Sequence, residues 1–342
     1  MKILRYAALA IALAAIPAGS SQAQSVADFY KGKQVTMVIG FGPGGGYDAW
    51  ARAIARHMGK HIPGNPTFVP QNMPGAGSIV AANHIYNVAP KDGTTIGIIA
   101  RDAPLAPLSG TASARFDALK FTWLGSPTAE TNVCFAHKSA GVKTFAELQQ
   151  KELIIGDTGP GTGTYIYPRV VNAILGTKFK VVGGFPSSSD VFLAIERGEV
   201  HGICESLDSV MNKKPTWIKD GTINVLFQGA AEPHPSLKGV PFIFDLAMTE
   251  EQKQALNFVY SGQGIGRPFV APPNLPPDRA KALRDAFNAT LKDPEFIADA
   301  KKQKLDVEPV PGEKIAAILE RLYATPKPVV ERVGKIIQAD KK

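Results

Sequence analysis

Apolar and polar positions alternate along this chain in two periods, and the switches between them mark out its elements. Residues 34–40 (QVTMVIG) form a short β-rich run that stops at a glycine cluster. Asp48 then opens a segment with Trp50, Ile54 and Met58 four residues apart, the spacing of one helix face. The same strand, loop and helix order returns in 67–69, 72–77 and 78–88, followed by an apolar strand over 95–100. A Pro-, Ala- and Ser-rich break covers 101–121, and a second series starts at 132–137. That series predicts a strand at 153–156, a loop at 157–164, a helix at 165–175, a strand at 180–182, a helix at 189–197 and a strand at 200–204. Beyond it lie strands at 222–227 and 269–271, then a helix over 277–291 carrying Leu283, Phe287 and Leu291 on one face. A final helix spans 313–323 and carries Ile315, Ile318, Leu319 and Leu322. Alternating strands and helices predict an α/β fold with doubly wound, mostly parallel sheets flanked by helices.

Composition turns this pattern into two lobes. The 342 residues, 44% hydrophobic and 20% charged, are enough for about two cores and exclude a disordered chain. The expected crossing lies near residues 125–132. Lys2 and Arg5 precede an apolar run over 6–16, and Ser21 and Ala23 supply the small residues of a signal-peptidase site. This predicts a signal peptide over 1–23, cleavage after Ala23 and a location outside the cytoplasm. The run is shorter than the ~20 residues of a membrane span.

The formal net charge of +8 is spread along the chain without the clustered Lys/Arg and interleaved aromatics of a nucleic-acid surface, so no nucleic-acid partner is expected. It favours an anionic small ligand through long-range attraction. Cys134 and Cys204 are the two cysteines, with neither CxxC nor zinc spacing. One disulfide or two buried thiols fit them equally.

Chemistry is sparse. Gly40, Gly42 and Gly45 match GxGxxG after a strand, but a dinucleotide turn needs an acid about 20 residues on, and no Asp or Glu lies between Asp48 and Asp92. The underlying physics remains, because glycines expose backbone N–H groups and a helix N-terminus adds partial positive charge. Residues 71–78 and 156–164 repeat this arrangement; each loop alone reads first as a capped turn, but three of them on two lobes predict an anion clamp in an interlobe cleft. His57 and His61, four apart, have neither HExxH nor a nearby acid and read as a solvated helix end. Ser187 to Asp190 reads as a helix cap or a set of polar contacts. Glu196 and Glu199 flank Arg197 on a surface helix end. With neither GxSxG nor a P-loop, no catalytic residue, metal or cofactor is expected.

Three motifs in order, Phe41-Gly42-Pro43-Gly44-Gly45-Gly46-Tyr47-Asp48, Gln71-Asn72-Met73-Pro74-Gly75-Ala76-Gly77 and Ala89-Pro90-Lys91-Asp92-Gly93, resemble the solute-binding receptors of tripartite tricarboxylate transporters, the Bug family. The likeness runs from about Lys33 to the C-terminus, through Gly198-Glu199-Val200 and Asp293-Pro294-Glu295-Phe296. It implies a periplasmic, two-lobed type II binding-protein fold. Lobe 1 would comprise 24–128 and 229–342, and lobe 2 residues 129–228. It also implies a monomeric, non-enzymatic receptor that captures an organic carboxylate and delivers it to membrane permease subunits.

On the same resemblance the first-lobe ligand loops hold Phe41, Gly42, Gly44, Gly45 and Asp48, then Asn72, Gly75, Ala76, Gly77 and Ser78. The second-lobe contacts are Thr158, Gly161, Thr162, Gly163 and Thr164, then Ser187 and Asp190. Three positions depart from the family pattern: Arg101-Asp102, Gly266-Arg267-Pro268, and Glu205-Ser206 in place of an Asp-rich pair. Arg101 follows a strand that ends at the cleft, so it either grips a second carboxylate in a bidentate pair or is bound by Asp102 or another acid. Glu205 is a further candidate ligand contact. A sensor that reports occupancy to a signalling partner, or an enzyme of this architecture, are the alternative functions. Tricarboxylate, dicarboxylate, aromatic acid and amino acid all remain open as ligands.

Overall fold

The computed structural model describes residues 24–230 and 232–338, so the expected signal peptide lies outside the described residues. In chain order the first part contains α1 (Val26–Tyr30), β1 (Gln34–Ile39), α2 (Gly46–Met58), β2 (Thr67–Asn72), α3 (Ile79–Asn87), β3 (Thr95–Ile98), α4 (Leu105–Leu108) and β4 (Thr122–Ser126). A second run holds β5 (Asn132–His137), α5 (Phe145–Leu148), β6 (Leu153–Gly156), α6 (Gly163–Leu175), β7 (Phe179–Val182), α7 (Ser188–Glu196), β8 (Gly202–Ser206), α8 (Leu207–Lys213) and β9 (Ile223–Gly229). The chain then adds α9 (Glu250–Tyr260), β10 (Phe269–Ala271), α10 (Pro277–Thr290), α11 (Pro294–Lys302), β11 (Val310–Pro311), α12 (Gly312–Tyr323) and α13 (Lys327–Gln338). Among the described residues, no helix is long and apolar enough to cross a membrane.

Six strands form one sheet in the order β11-β4-β10-β3-β1-β2. The second run builds a three-stranded sheet, β8-β5-β9, and a pair, β6-β7, joined through a 2.7 Å bond from His201 N to Ile154 O. The two-lobed α/β arrangement expected from the alternation is present, but strand direction is more mixed than the expected mostly parallel sheets. β1 runs parallel to β2 and β3, and β6 to β7, where helical crossovers link the strands. β10 lies antiparallel to β3 and β4, and β5 antiparallel to β8 and β9. The direction flips because β5 and β10 adjoin the segments that leave and re-enter the first sheet, rather than closing a βαβ unit. β4 starts just after the expected break at 101–121 and shares its last two residues with the expected crossing at 125–132.

Burial explains why the first sheet needs helices on both faces. Val35, Met37 and Ile39 of β1 share a core with Trp50, Ile54 and Met58 of α2 and with Phe287 and Phe296, whereas Val38 faces the core built by α3. Each fully buried side chain of this size contributes about 1.5–3 kcal/mol. Local signals set the helix ends: Thr162 caps α6 and left-handed Gly176 stops it, while Pro277 opens α10 and Asp293 caps α11. α9 and α13 pack against α6.

Cys134 and Cys204 face each other directly across β5 and β8 and are joined as a disulfide, which settles the open alternative. His57 and His61 are not a solvated helix end. Their Nε2 atoms lie 3.0 Å from Asp299 and 2.9 Å from Asp293, so the end of α2 is tied to α11 by carboxylates more than 230 residues away.

Candidate functional site

Where β1 ends, residues 40–45 turn the chain into α2, and the geometry of this loop is set from below. The Asp48 carboxylate accepts from Gly44 N at 2.9 Å, Arg52 Nε at 3.0 Å and Asn72 Nδ2 at 2.8 Å. Burial opposes its ionisation, but these donors win and hold the carboxyl below its ordinary value. Asn72 also donates to Phe41 O at 2.8 Å. Asp48 and Asn72 therefore brace the loop, and neither borders the cleft chamber described below.

The second loop carries four successive residues at positive φ: Gly75 (144°), Ala76 (46°), Gly77 (62°) and Ser78 (71°). Ala76 and Ser78 accept a conformation that side chains disfavour, the kind of local strain that collects at binding sites. Ser78 Oγ accepts from Ala100 N at 2.8 Å, which pins this loop to the end of β3.

From the second run, three threonines cluster after β6. Thr164 Oγ1 lies 2.9 Å from Thr158 Oγ1 and 2.7 Å from Thr162 Oγ1, and Thr158 N donates to it at 2.9 Å. Ser187 Oγ donates to Asp190 at 2.7 Å instead of capping α7.

These loops meet. Gly42 N donates to Pro186 O at 3.1 Å, Ser189 Oγ to Gly44 O at 2.8 Å, and Tyr167 Oη to Asp102 Oδ1 at 2.8 Å. A Cβ on Gly77 would lie 2.6 Å from Gly161 N and 2.8 Å from Gly159 O, so only glycine lets the two backbones touch. Between them remains a small, narrow chamber. The N-termini of α2, α6 and α7, helices of 13, 13 and 9 residues, all border it through Gly45 and Gly46, Thr162 and Gly163, and Ser187 and Ser188. Neither Gly45 nor Ser187 caps its helix with a side-chain hydrogen bond. Their first-turn N–H groups point positive ends of dipoles at one space.

Of the residues singled out in the sequence, Phe41, Gly45, Arg101, Thr158, Thr162, Gly163, Thr164, Ser187 and Glu205 border this chamber. Gly75, Ala76 and Gly77 border an adjoining space. Gly42, Gly44, Asp48, Asn72, Ser78, Gly161 and Asp190 border neither, because their polar atoms or backbones hold the loops and the lobe contact. Gly46, Tyr47, Asp102, Ser188 and Cys204 were missed and line the chamber.

Beneath the chamber lies a buried charge cluster that no local motif signals. Arg101 Nη1 is 2.8 Å from Glu130 Oε2 and its Nε is 3.7 Å from Asp102 Oδ2. Of the two roles expected for Arg101, pairing with a protein acid is the one seen, with the buried Glu130 as its nearer partner. Glu130 also binds Arg267 Nε, and Arg267 donates to Ser209 Oγ at 2.8 Å and stacks on Tyr47 at 4.4 Å. Burial disfavours the charge on Glu130, yet Arg267 and Arg101 keep its carboxyl below the ordinary value. Asp102 moves the other way, pushed up to about 6, mainly by burial. Glu205 accepts from Ser206 N at 2.8 Å on the chamber wall.

No family model matches the chain. A UPF0065 protein encoded in the gbd 5' region of Cupriavidus necator is 23% identical over 340 residues, 96% of each chain. The BugT protein of Bordetella pertussis is 36% identical over 80 residues, 23% of this chain and 24% of BugT. Among solved structures, the periplasmic binding protein BugD superposes with a TM-score of 0.71 at 16% identity, covering 89% of this chain and 99% of its own. MatC from Rhodopseudomonas palustris, with bound malate, gives 0.69 at 20% identity over 87% of this chain and 99% of MatC. An R. palustris protein with adipate gives 0.65 at 20% identity over 89% and 97%. Along its length the chain is similar in sequence to the UPF0065 protein, and its fold is that of the periplasmic binding protein BugD.

Proposed function

We propose that this protein is an extracytoplasmic receptor that closes around an organic carboxylate and delivers it to a tripartite tricarboxylate-type permease. The observation that carries the reading is the convergence of three helix N-termini, from α2 on one side of the cleft and α6 and α7 on the other, on one chamber. A carboxylate there gains backbone donors and favourable dipoles from both sides, so closure is favoured when it is bound. The malate and adipate bound by the two R. palustris neighbours support the same ligand chemistry. The lobes would comprise 24–128 with 229–342, and 129–228, and residues 1–23 would direct export.

In this reading Gly45, Gly46, Gly163 and Ser188 supply backbone donors, and Thr158, Thr162, Thr164 and Ser187 supply hydroxyls. Arg101, its charge compensated by Glu130, braces the chamber floor rather than acting as a free clamp.

A thermal-shift screen of the mature chain against mono-, di- and tricarboxylates tests it. A ligand at 100 times its dissociation constant stabilises the fold by about 2.7 kcal/mol. A shift confined to carboxylates supports the reading. A flat response from folded protein freed of co-purified ligand rejects it.

A further inference from the structure

The cleft contains a second space beside the anion chamber, and the two differ in chemistry. The outer one is far the larger, about 500 Å3 against room for little more than a water molecule in the inner one as it stands, and Phe41 and Thr158 form a wall common to both. Charged side chains and threonine hydroxyls line the inner chamber. Around the outer space stand Pro74 and Ala76 from the first run of elements and Pro160, Phe185 and Pro186 from the second, with glycine backbone between them. At one edge Asp157, Arg169 and Tyr165 complete the lining, with Arg169 held 3.5 Å from the Asp157 carboxylate and 3.6 Å over the Tyr165 ring.

The polar donors that suit a carboxylate group all face the inner chamber. A ligand confined to those donors would leave this apolar wall wet at the place where the lobes meet. Resting on the carboxylate reading above, we propose that the outer space is the subsite for an apolar ligand body, which makes the preferred ligand an acid whose carboxylate is carried on an extended hydrocarbon chain or ring. The carboxylate sits among the helix N-termini, the body passes Phe41 and Thr158, and its methylenes displace water from the proline-lined wall.

A calorimetric series of straight-chain monocarboxylates from acetate to decanoate reads this directly. Each methylene buried adds roughly threefold to fourfold in affinity. Binding should therefore climb at about that rate over several consecutive members and then level off, with the longer acids exceeding malate. Gly183 borders the outer space, and a Cβ there would lie 3.4 Å from the Asp157 carboxylate, ordinary contact, so Gly183→Leu adds apolar bulk at that edge of the space. It should end the climb several carbons earlier and leave acetate unchanged. Phe185→Ala, at a half-buried position, should make the climb shallower and serves if Gly183→Leu does not fold.

Affinity that stays flat beyond butyrate while short acids bind overturns the proposal and makes the outer space a vestibule. A climb unaltered in both variants overturns it too. If no acid of any length binds the folded protein, the carboxylate reading has failed and takes the subsite with it.

Discussion

Glu130 holds two guanidinium groups in place with one carboxylate, and all three side chains are almost fully buried. Removing one partner of such a cluster leaves charge stranded in a low dielectric, at a cost of about 3–5 kcal/mol. Glu130→Ala should lower the urea-unfolding free energy by that amount, and a loss below about 1 kcal/mol would show that water reaches the cluster. Asp102 gives the site a pH dependence of opposite sign to an ordinary ion pair. With its carboxyl pushed up to about 6, the folded protein keeps a proton that the unfolded chain releases near pH 4. Stability therefore falls as pH rises from 4 towards 6, by up to about 1.4 kcal/mol per unit, and the deficit persists above 6. Glu130 and Asp48, with depressed values, lose their contribution only on the acid side of this window. Urea midpoints between pH 4.5 and 7 should fall in the wild type and fall less in Asp102→Asn; equal slopes would place the titration elsewhere. The Arg101-Asp102 pair is visible in the sequence as an oddity after a strand. Its main partner is not, because Glu130 belongs to no motif and reaches Arg101 only through the fold.

Elements were the most legible level. The 3.6-residue stripe of Trp50, Ile54 and Met58 and the glycine-flanked apolar runs locate α2, β5, β6 and β10 nearly to the residue. β4 was not expected, since Thr122–Ser126 is short, interrupted by Gly125 and wedged between the expected break and the expected crossing. α13 carries Val333 and Ile337 at helical spacing, but its packing partner, α6, lies more than 150 residues back. Strand direction was equally beyond reach, because a short apolar strand looks the same whichever way its neighbour runs. The β5–β8 pair yields a prediction at this level. Its disulfide closes a loop spanning 70 positions, and losing a crosslink of that length costs about 2–4 kcal/mol through the unfolded ensemble. Reductant should shift the urea midpoint of the wild type but not that of a Cys134→Ala/Cys204→Ala variant. Identical midpoints with and without reductant would mean the bond contributes nothing, or that it resists reduction, which thiol counting distinguishes.

Over the whole molecule, the lobes meet in a closed arrangement held by Gly42 to Pro186, Ser189 to Gly44 and Tyr167 to Asp102. Gly77→Val places two methyl groups where Gly159 and Gly161 now touch it, so it should keep the lobes apart. Small-angle scattering with a saturating carboxylate should show compaction in the wild type and little in the variant; equal compaction would mean closure does not need that contact. The sequence by itself determined the two-part α/β alternation and the glycine loops that open helices at strand ends. Those features are local, resting on periodicity, capping and backbone freedom within a few residues. Tertiary structure alone decided which candidates border the chamber, that the cysteines pair, that Arg101 is bound by Glu130, and that an apolar space adjoins the polar one. Each depends on residues far apart in the chain and on side chains turning toward or away from the cleft, and one-dimensional spacing carries neither distance nor direction across the fold.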